Sequence, residues 1–120
     1  MLNEWKRGML TFWALGLVLV KPRYGLEIRK EIESSSQGSI RMGVSTIYQI
    51  MRRLERRGLV ECHWEKTTQG PPRAIYSSTD AGREVIRRYL LEIFSPESPI
   101  PSALGSLIGR MNAVLSGDQK

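Results

Sequence analysis

A basic amphipathic helix that runs directly into two short alternating segments constrains this fold more than any other feature of the chain. Within residues 43–79, four apolar side chains recur at i, i+3, i+4 and i+7, the spacing of one helical face. These are Ile47, Ile50, Met51 and Leu54. The opposite side carries polar and basic residues, namely Ser45, Gln49, Arg52 and Arg56, with Thr46, Arg53 and Arg57 beside them. The spacing predicts a helix over residues 44–58 with one buried and one basic face.

The charge on this helix exceeds what a solvated face needs. Residues 41–57 hold five arginines and one acid, Glu55, a local charge of +4 within a chain total of +6. A solvated face that supports the helix dipole near its C-terminal end is the alternative reading. Together with a pI near 9.9, the bias favours a polyanionic partner, nucleic acid first and an anionic membrane second. Gly43 and Ser45 both suit the start of the helix, and Gly58 suits its end.

The segment after the helix has the pattern of a β-hairpin. Val60, Cys62 and Trp64 alternate with polar residues, which predicts a strand with one buried face. Residues 66–73 form a polar tip with a Gly-Pro-Pro turn, and residues 73–79 return as a second strand. An exposed basic helix followed by such a hairpin is the arrangement of a winged helix-turn-helix. We therefore predict a mostly α fold with a small β-wing (α+β).

The N-terminal segment is strongly apolar. Lys6 and Arg7 precede an apolar run over residues 8–20, which is shorter than the roughly 20 residues that span a bilayer. We predict a helix over residues 3–20 that is ended by Pro22. Because a helix that is apolar nearly all round needs several neighbours to cover it, the pattern partly implies a second subunit.

Two further helices complete the predicted domain. Residues 24–36 form a short amphipathic helix with Ile28 and Ile32 inward. The spacing of Ile40 and Met42 is consistent with one short strand. Thr79 caps a helix over residues 80–94, whose apolar stripe comprises Val85, Ile86, Tyr89, Leu90, Ile93 and Phe94.

The C-terminal part of the sequence predicts a linker followed by one more helix. Three prolines within residues 95–101 forbid a helix there and predict a linker. The chain then divides into a winged helix-turn-helix domain over residues 1–94, that linker, and a C-terminal helix and tail over residues 102–120. The apolar side of the last helix is Leu104, Leu107, Ile108, Met111, Val114 and Leu115. A dimerisation arm is favoured over docking on its own domain.

Little in the sequence points to catalysis or to a metal. Cys62 is the single cysteine, which fits a reducing cytoplasm. Cys62 and the lone histidine, His63, supply two ligands without a third at useful spacing. The chain offers no nucleophile–base pair, paired carboxylates or phosphate loop, so we predict neither an enzyme nor a cofactor.

Several motifs together resemble the PadR family of transcriptional regulators. They occur in the family's order and spacing across about residues 8–90. They are Tyr24-Gly25-x-Glu27-Ile28, Thr46-Ile47-Tyr48, Arg53-Leu54-Glu55-x-x-Gly58-Leu59-Val60, Gly70-Pro71-Pro72-Arg73-x-x-Tyr76 and Thr79-x-x-Gly82-Arg83. The resemblance implies a homodimeric winged-helix repressor whose third helix enters the major groove of operator DNA. It also implies that the final helix dimerises, often against the first helix of the partner.

Position and chemistry suggest the DNA-contacting residues. Ser45, Thr46 and Gln49 lie near the N-terminus of the third helix, where base edges are met, and glutamine can read adenine bidentately. Candidates for contacts outside the bases are Tyr48, Arg52, Arg53, Lys66 and Arg73. Tyr48 resembles the family tyrosine that contacts phosphate, with partial packing at the helix edge as its alternative. Arg73 has bracing of the wing tip as its alternative.

The dimerisation candidates lie on the first and last helices. They are Trp5, Met9, Phe12, Trp13, Leu104, Leu107, Ile108, Met111 and Leu115. Because some relatives bind flat aromatic compounds between subunits, Trp5 and Trp13 are also candidates to stack on a small aromatic effector, although dimer-core packing is the favoured role. Two rivals to DNA binding are a winged-helix protein-interaction module and a membrane-surface protein anchored by the first helix.

Overall fold

The computed structural model describes residues 4–93 and 102–117, with the side chains of residues 7–90 and 107–117. The described residues form five helices and a small three-stranded sheet, as the predicted α+β class requires. The helices are α1 (Glu4–Val20), α2 (Gly25–Ser35), α3 (Val44–Arg56), α4 (Asp80–Ile93) and α5 (Ser102–Gly117). The strands are β1 (Arg23–Tyr24), β2 (Val60–Glu65) and β3 (Arg73–Ser78).

Helix α1 lies at the centre of the core. It packs against α2, α3, α4, α5 and β3, and Leu10, Trp13 and Leu17 are at most 2% exposed. The apolar run is therefore covered largely by the chain's own elements. Among the described residues, no helix is long and apolar enough to cross a membrane.

The sheet has a third strand that the sequence pattern did not reveal. Strands β2 and β3 form the predicted hairpin, and Arg23 and Tyr24 pair antiparallel with the outer edge of β3 in the order β1-β3-β2. The short strand expected at Ile40 and Met42 is wrong, because residues 41–43 have no regular structure. Met42 is instead buried, and its carbonyl oxygen accepts a 3.3 Å hydrogen bond from Nη1 of Arg29.

The predicted buried face of β2 is only partly correct. Val60 is buried and Cys62 is half-buried, whereas Trp64 is 71% exposed. Strand alternation assigns a residue to a face, but β2 extends past the edge of the core, where nothing in the described chain covers the indole.

The ends of α3 fix its position between α2 and the wing. Gly43 is the N-cap. At the other end, Gly58 has a φ of +74°, and the amides of Gly58 and Leu59 donate to the carbonyls of Glu55 and Leu54 at 2.9 and 3.0 Å. These bonds form a Schellman motif, which needs glycine at the left-handed position.

Hydrogen bonds join the start of α4 to the residues just before β2. The amide of Gly82 donates to Oγ1 of Thr79 at 3.1 Å, which confirms the predicted cap, and that hydroxyl donates to the carbonyl of Gly58 at 2.6 Å. The amide of Thr79 donates to the carbonyl of Leu59 at 3.2 Å. Gly82 approaches the same carbonyl so closely that an added Cβ would lie 2.1 Å from its oxygen.

Helix α5 docks on α1 and α4 of the same chain. Leu107, Ile108 and Met111 are buried, and Leu107 and Met111 cover Gly16 of α1. The predicted linker over residues 95–101 lies outside the described residues, as does Phe94.

Candidate nucleic-acid interface

The outward face of α3 carries exposed polar and basic side chains. Its four core residues are at most 3% exposed, which fixes the rotation of the helix. Ser45, Gln49 and Arg52 are consequently exposed, and Thr46 and Arg53 are half-buried along one edge. Five of the six contacts predicted on this helix therefore lie on its outward half, and Tyr48 is the sixth.

The arginines of α3 are uncompensated within the part of the chain that the structure describes. The ion pairs there involve Arg29 and Arg41 with Glu33, His63 with Glu61, and Arg87 and Arg88 with Glu84. Among described residues Arg52, Arg53, Arg56 and Arg57 of the α3 region join no such pair. Their charge stays available to a polyanion.

Tyr48 is held at the boundary between α3 and α2. An added Cβ at Gly25 would lie 2.7 Å from Cε1 of Tyr48, so the ring rests on the bare backbone at the start of α2. Tyr48 is half-buried, which agrees with partial packing at the helix edge. Its ring also lines an open groove beside α3.

A polar cluster joins the tip end of the hairpin to the start of α2. The hydroxyl of Tyr24 donates to Glu65 of β2, and the guanidinium of Arg73 lies 5.1 Å from the centre of the Tyr24 ring. Glu65 and Arg73 are directly opposed in the hairpin. The bond to Glu65 raises the pKa of Tyr24, which keeps its hydroxyl protonated as a donor. This geometry gives Arg73 a bracing contact while its side chain remains exposed.

The wing tip carries the other predicted wing residue. Lys66 is exposed where β2 ends. The adjacent Thr67 is near the carbonyls of Gln69, Gly70 and Pro71, at 3.0–3.2 Å from its hydroxyl. The tip is therefore internally bonded around one side chain while Lys66 points outward from it.

A groove separates α3 from the inner face of the wing. Its volume is about 610 Å³. The groove is lined by residues of β1 and α2, of α3 and of the hairpin. From β1 and α2 these are Tyr24, Leu26, Glu27 and Lys30; from α3, Tyr48, Arg52 and Glu55; and from the hairpin, Cys62, Trp64, Pro72, Arg73, Ala74 and Tyr76. Sequence reasoning missed Lys30 and Trp64 as members of this surface, because alternation assigned Trp64 to the core and a lone exposed lysine carries no signal.

Cys62 in this groove lacks the environment of a reactive thiol. Burial, and to a lesser extent the charge of Glu55, raise the pKa of its thiol, which favours the protonated form over the nucleophilic thiolate. Among the residues that the structure describes, no three histidine, cysteine or acidic side chains come together as a metal site.

The dimerisation candidates fall into three groups. Trp13, Leu107, Ile108 and Met111 are buried within the single chain. Met9, Phe12 and Leu115 are half-buried and keep exposed surface. The side chains of Trp5 and Leu104 lie outside those described, so a subunit interface, and an aromatic effector held by Trp5 and Trp13, stay predictions.

The fold and this surface place the chain in the class of winged helix-turn-helix proteins. Residues 14–88 match the transcriptional regulator PadR-like family. The chain belongs to this family, and its relatives there are transcriptional regulators rather than enzymes.

One similar sequence agrees with this family, and two solved structures share its fold. An uncharacterized protein of Lysinibacillus sphaericus is 31% identical over 86 residues, which are 72% of this chain and 79% of that protein. A PadR-like transcription factor of Bacteroides fragilis has 25% identity and a TM-score of 0.68, over 74% of this chain and 84% of its own. PadR of Bacillus subtilis, solved with operator DNA, has 20% identity and a TM-score of 0.64, over 78% of this chain and 51% of its own.

Proposed function

We propose that this regulator binds double-stranded operator DNA sequence-specifically as a cytoplasmic homodimer and represses transcription. Helix α3 would enter the major groove and wing residues 66–73 would lie along the backbone. The observation that carries the proposal is the outward face of α3, where Ser45 and Gln49 are exposed beside arginines that join no ion pair among the described residues.

Chemistry divides the α3 residues into two roles. Ser45, Thr46 and Gln49 occupy the first half of α3, the part of a recognition helix that reaches base edges. Arg52 and Arg53 follow in the second half and would contact phosphates, which positions the protein without reading sequence. The PadR structure with operator DNA supports DNA as the partner for this fold.

The dimer proposal depends on surface that the single chain leaves uncovered. Phe12 packs edge-to-face on Tyr89 with ring centres 5.8 Å apart, and Tyr89 is 49% exposed. Met9 and Leu115 are also half-buried. Apolar side chains in this state favour a partner that removes them from water. A second copy of α1 and α5 is the occupant that the family resemblance implies.

Fluorescence anisotropy with DNA fragments from beside the protein's own gene tests the proposal. Binding to these fragments and to a random competitor duplex is compared at two salt concentrations. Gln49→Ala should lose about 1–3 kcal/mol of discrimination between the fragments and the competitor. Arg52→Ala should weaken binding to both and reduce the slope of log K against log salt by about 0.9.

Arg110→Ala is the matched control, because it removes the same charge from an exposed position on α5. It should leave the discrimination unchanged. If the wild type binds no duplex even at low salt, DNA binding is refuted and a winged-helix interaction module replaces it. Size-exclusion chromatography with light scattering tests the dimer separately, and a monomer at the concentrations that bind DNA would contradict it.

A further inference from the structure

Trp64 is a large apolar side chain that the described fold leaves open to solvent. It is 71% exposed on the inner face of the wing. Its cross-strand partner, Ala74, is small and cannot cover an indole ring. Val60, on the same face four residues earlier, is buried in the core. The exposed indole is therefore a feature of the outer wing, where the hairpin has left the core.

The indole lies at the edge of a groove as well as being open to water. Trp64 and Ala74 form one wall of the groove between the wing and α3. Tyr24 of β1 and Tyr48 of α3 also line the groove, and Leu26 of α2, which is 44% exposed, adds apolar surface. The groove thus offers aromatic and aliphatic surface that no described residue fills.

Charge gives this groove a cationic character. Lys30, Arg52 and Arg73 contribute three positive charges to its lining, against two carboxylates. Glu27 is engaged, since its Oε1 accepts the backbone amide of Tyr24 at 2.8 Å. Glu55 acts on Cys62 and Tyr76, whose pKa values are raised mainly by burial and to a lesser extent by the charge of Glu55.

We propose that this groove seats the sugar–phosphate backbone of one strand of duplex DNA. Trp64 would pack against a deoxyribose while Lys30 and Arg52 pair with flanking phosphates. A DNA strand alternates apolar sugars with anionic phosphates, and the groove places an uncovered indole among cations. The inference rests on the proposed DNA-binding function and adds Trp64 and Lys30 to its contacts.

Binding of a fluorescently labelled mixed-sequence duplex tests the role of Trp64, because a backbone contact does not depend on the operator. Trp64→Ala should weaken binding about tenfold, or about 1.4 kcal/mol. The slope of log K against log salt should stay unchanged, since no charge is removed. Trp64→Phe should restore part of the affinity. Lys30→Ala should reduce the slope by about 0.9.

His63→Ala is the matched control on the same strand. His63 is exposed on the outer face of the wing, where its ring contacts Glu61 at 3.3 Å. Its removal should change affinity by no more than about twofold. Intrinsic tryptophan emission gives a second readout: the wild type should change its emission when duplex is added, and Trp64→Phe should abolish that change.

The outcomes separate the inference from the proposed function. If the wild type binds no duplex, both fail. If the wild type binds and Arg52→Ala weakens it, but Trp64→Ala and Lys30→Ala bind as the wild type does, only the groove inference is overturned. It is overturned as well if Trp64→Ala loses affinity only by changing the oligomeric state, as light scattering would reveal. Far-UV circular dichroism should show native folding for both variants.

Discussion

Replacing Gly82 by alanine tests how tightly the wing is joined to α4. The added Cβ would lie 2.1 Å from the carbonyl oxygen of Leu59 and 3.1 Å from Oγ of Ser78. The carbonyl belongs to the backbone that leads into β2, and it accepts the amide of Thr79 at 3.2 Å. Relief of the overlap therefore requires α4 and the wing to separate, because no flexible side chain can yield in its place.

The magnitude follows from three effects. Overpacking a well-packed site costs about 1–3 kcal/mol and occasionally more, and an overlap with backbone belongs at the upper end. Weakening the bond from Thr79 to Leu59 adds about 1 kcal/mol. Alanine returns at most about 1 kcal/mol of helix propensity. We expect Gly82→Ala to lower the free energy of unfolding by about 3 kcal/mol, a large fraction of the 5–15 kcal/mol typical of a domain.

Urea unfolding followed by far-UV circular dichroism measures this change. All variants are compared at one protein concentration, because the proposed dimerisation would make stability concentration-dependent. Gly8→Ala is the matched control: Gly8 is exposed in α1, and an added Cβ there meets nothing within 4 Å. That variant should be about 0.5–1 kcal/mol more stable than the wild type. A Gly82→Ala midpoint at or above that of the wild type would refute the close approach of α4 to Leu59.

Three further predictions concern the same junctions and the hairpin core. Thr79→Ala removes the cap of α4 and the bond to the Gly58 carbonyl, so it should cost about 1 kcal/mol in urea unfolding, while Thr79→Ser should lose less. Gly58→Ala places a side chain at φ +74° in open space and should cost about 1 kcal/mol from backbone strain alone, with Gly58→Asn milder. Burial raises the pKa of Tyr76 from 10.0 to about 12; because the fold favours the neutral phenol, its contribution is complete below pH 10 and lost as the pH rises toward 12. The free energy of unfolding, measured across that pH range, should fall more steeply for the wild type than for Tyr76→Phe.

Periodicity predicted the helices because each buries a regular stripe. The residues spaced at i, i+3, i+4 and i+7 in α3 are the ones the structure buries, and the same holds for Ile28 and Ile32 in α2. Cap residues located the ends of these helices, as Gly58 and Thr79 illustrate. Such signals are local, so they survive without knowledge of the tertiary contacts.

The errors arose where a distant partner decides the structure. Arg23 and Tyr24 become a strand only because Tyr76 and Ile75, about fifty residues later, present an open edge. Ile40 and Met42 have strand spacing but find no such edge. Trp64 follows the alternation of β2, yet its exposure depends on where the hairpin leaves the core, which period-two spacing cannot express.

The candidate interface was partly predictable for the same reason. Ser45, Gln49 and Arg52 are exposed because the opposite stripe is buried, so the sequence placed them correctly. Lys30 comes from a different element, and its position beside the wing depends on the packing of α2 against α3. The bracing contact of Arg73 on Tyr24 also needed the β1–β3 pairing.

The two-residue strand β1 has a mechanical consequence for how such a regulator could be switched. Tyr24 pairs with β3, bonds to Glu65 of β2 and precedes α2 directly, so the wing is bonded directly to the helix-turn-helix. Changing the wing angle alone would break these bonds. In a dimer, an effector would therefore act by shifting the two winged helix-turn-helix domains relative to one another. The distance between the two α3 helices would then no longer match one turn of DNA, about 34 Å, while each domain kept its shape.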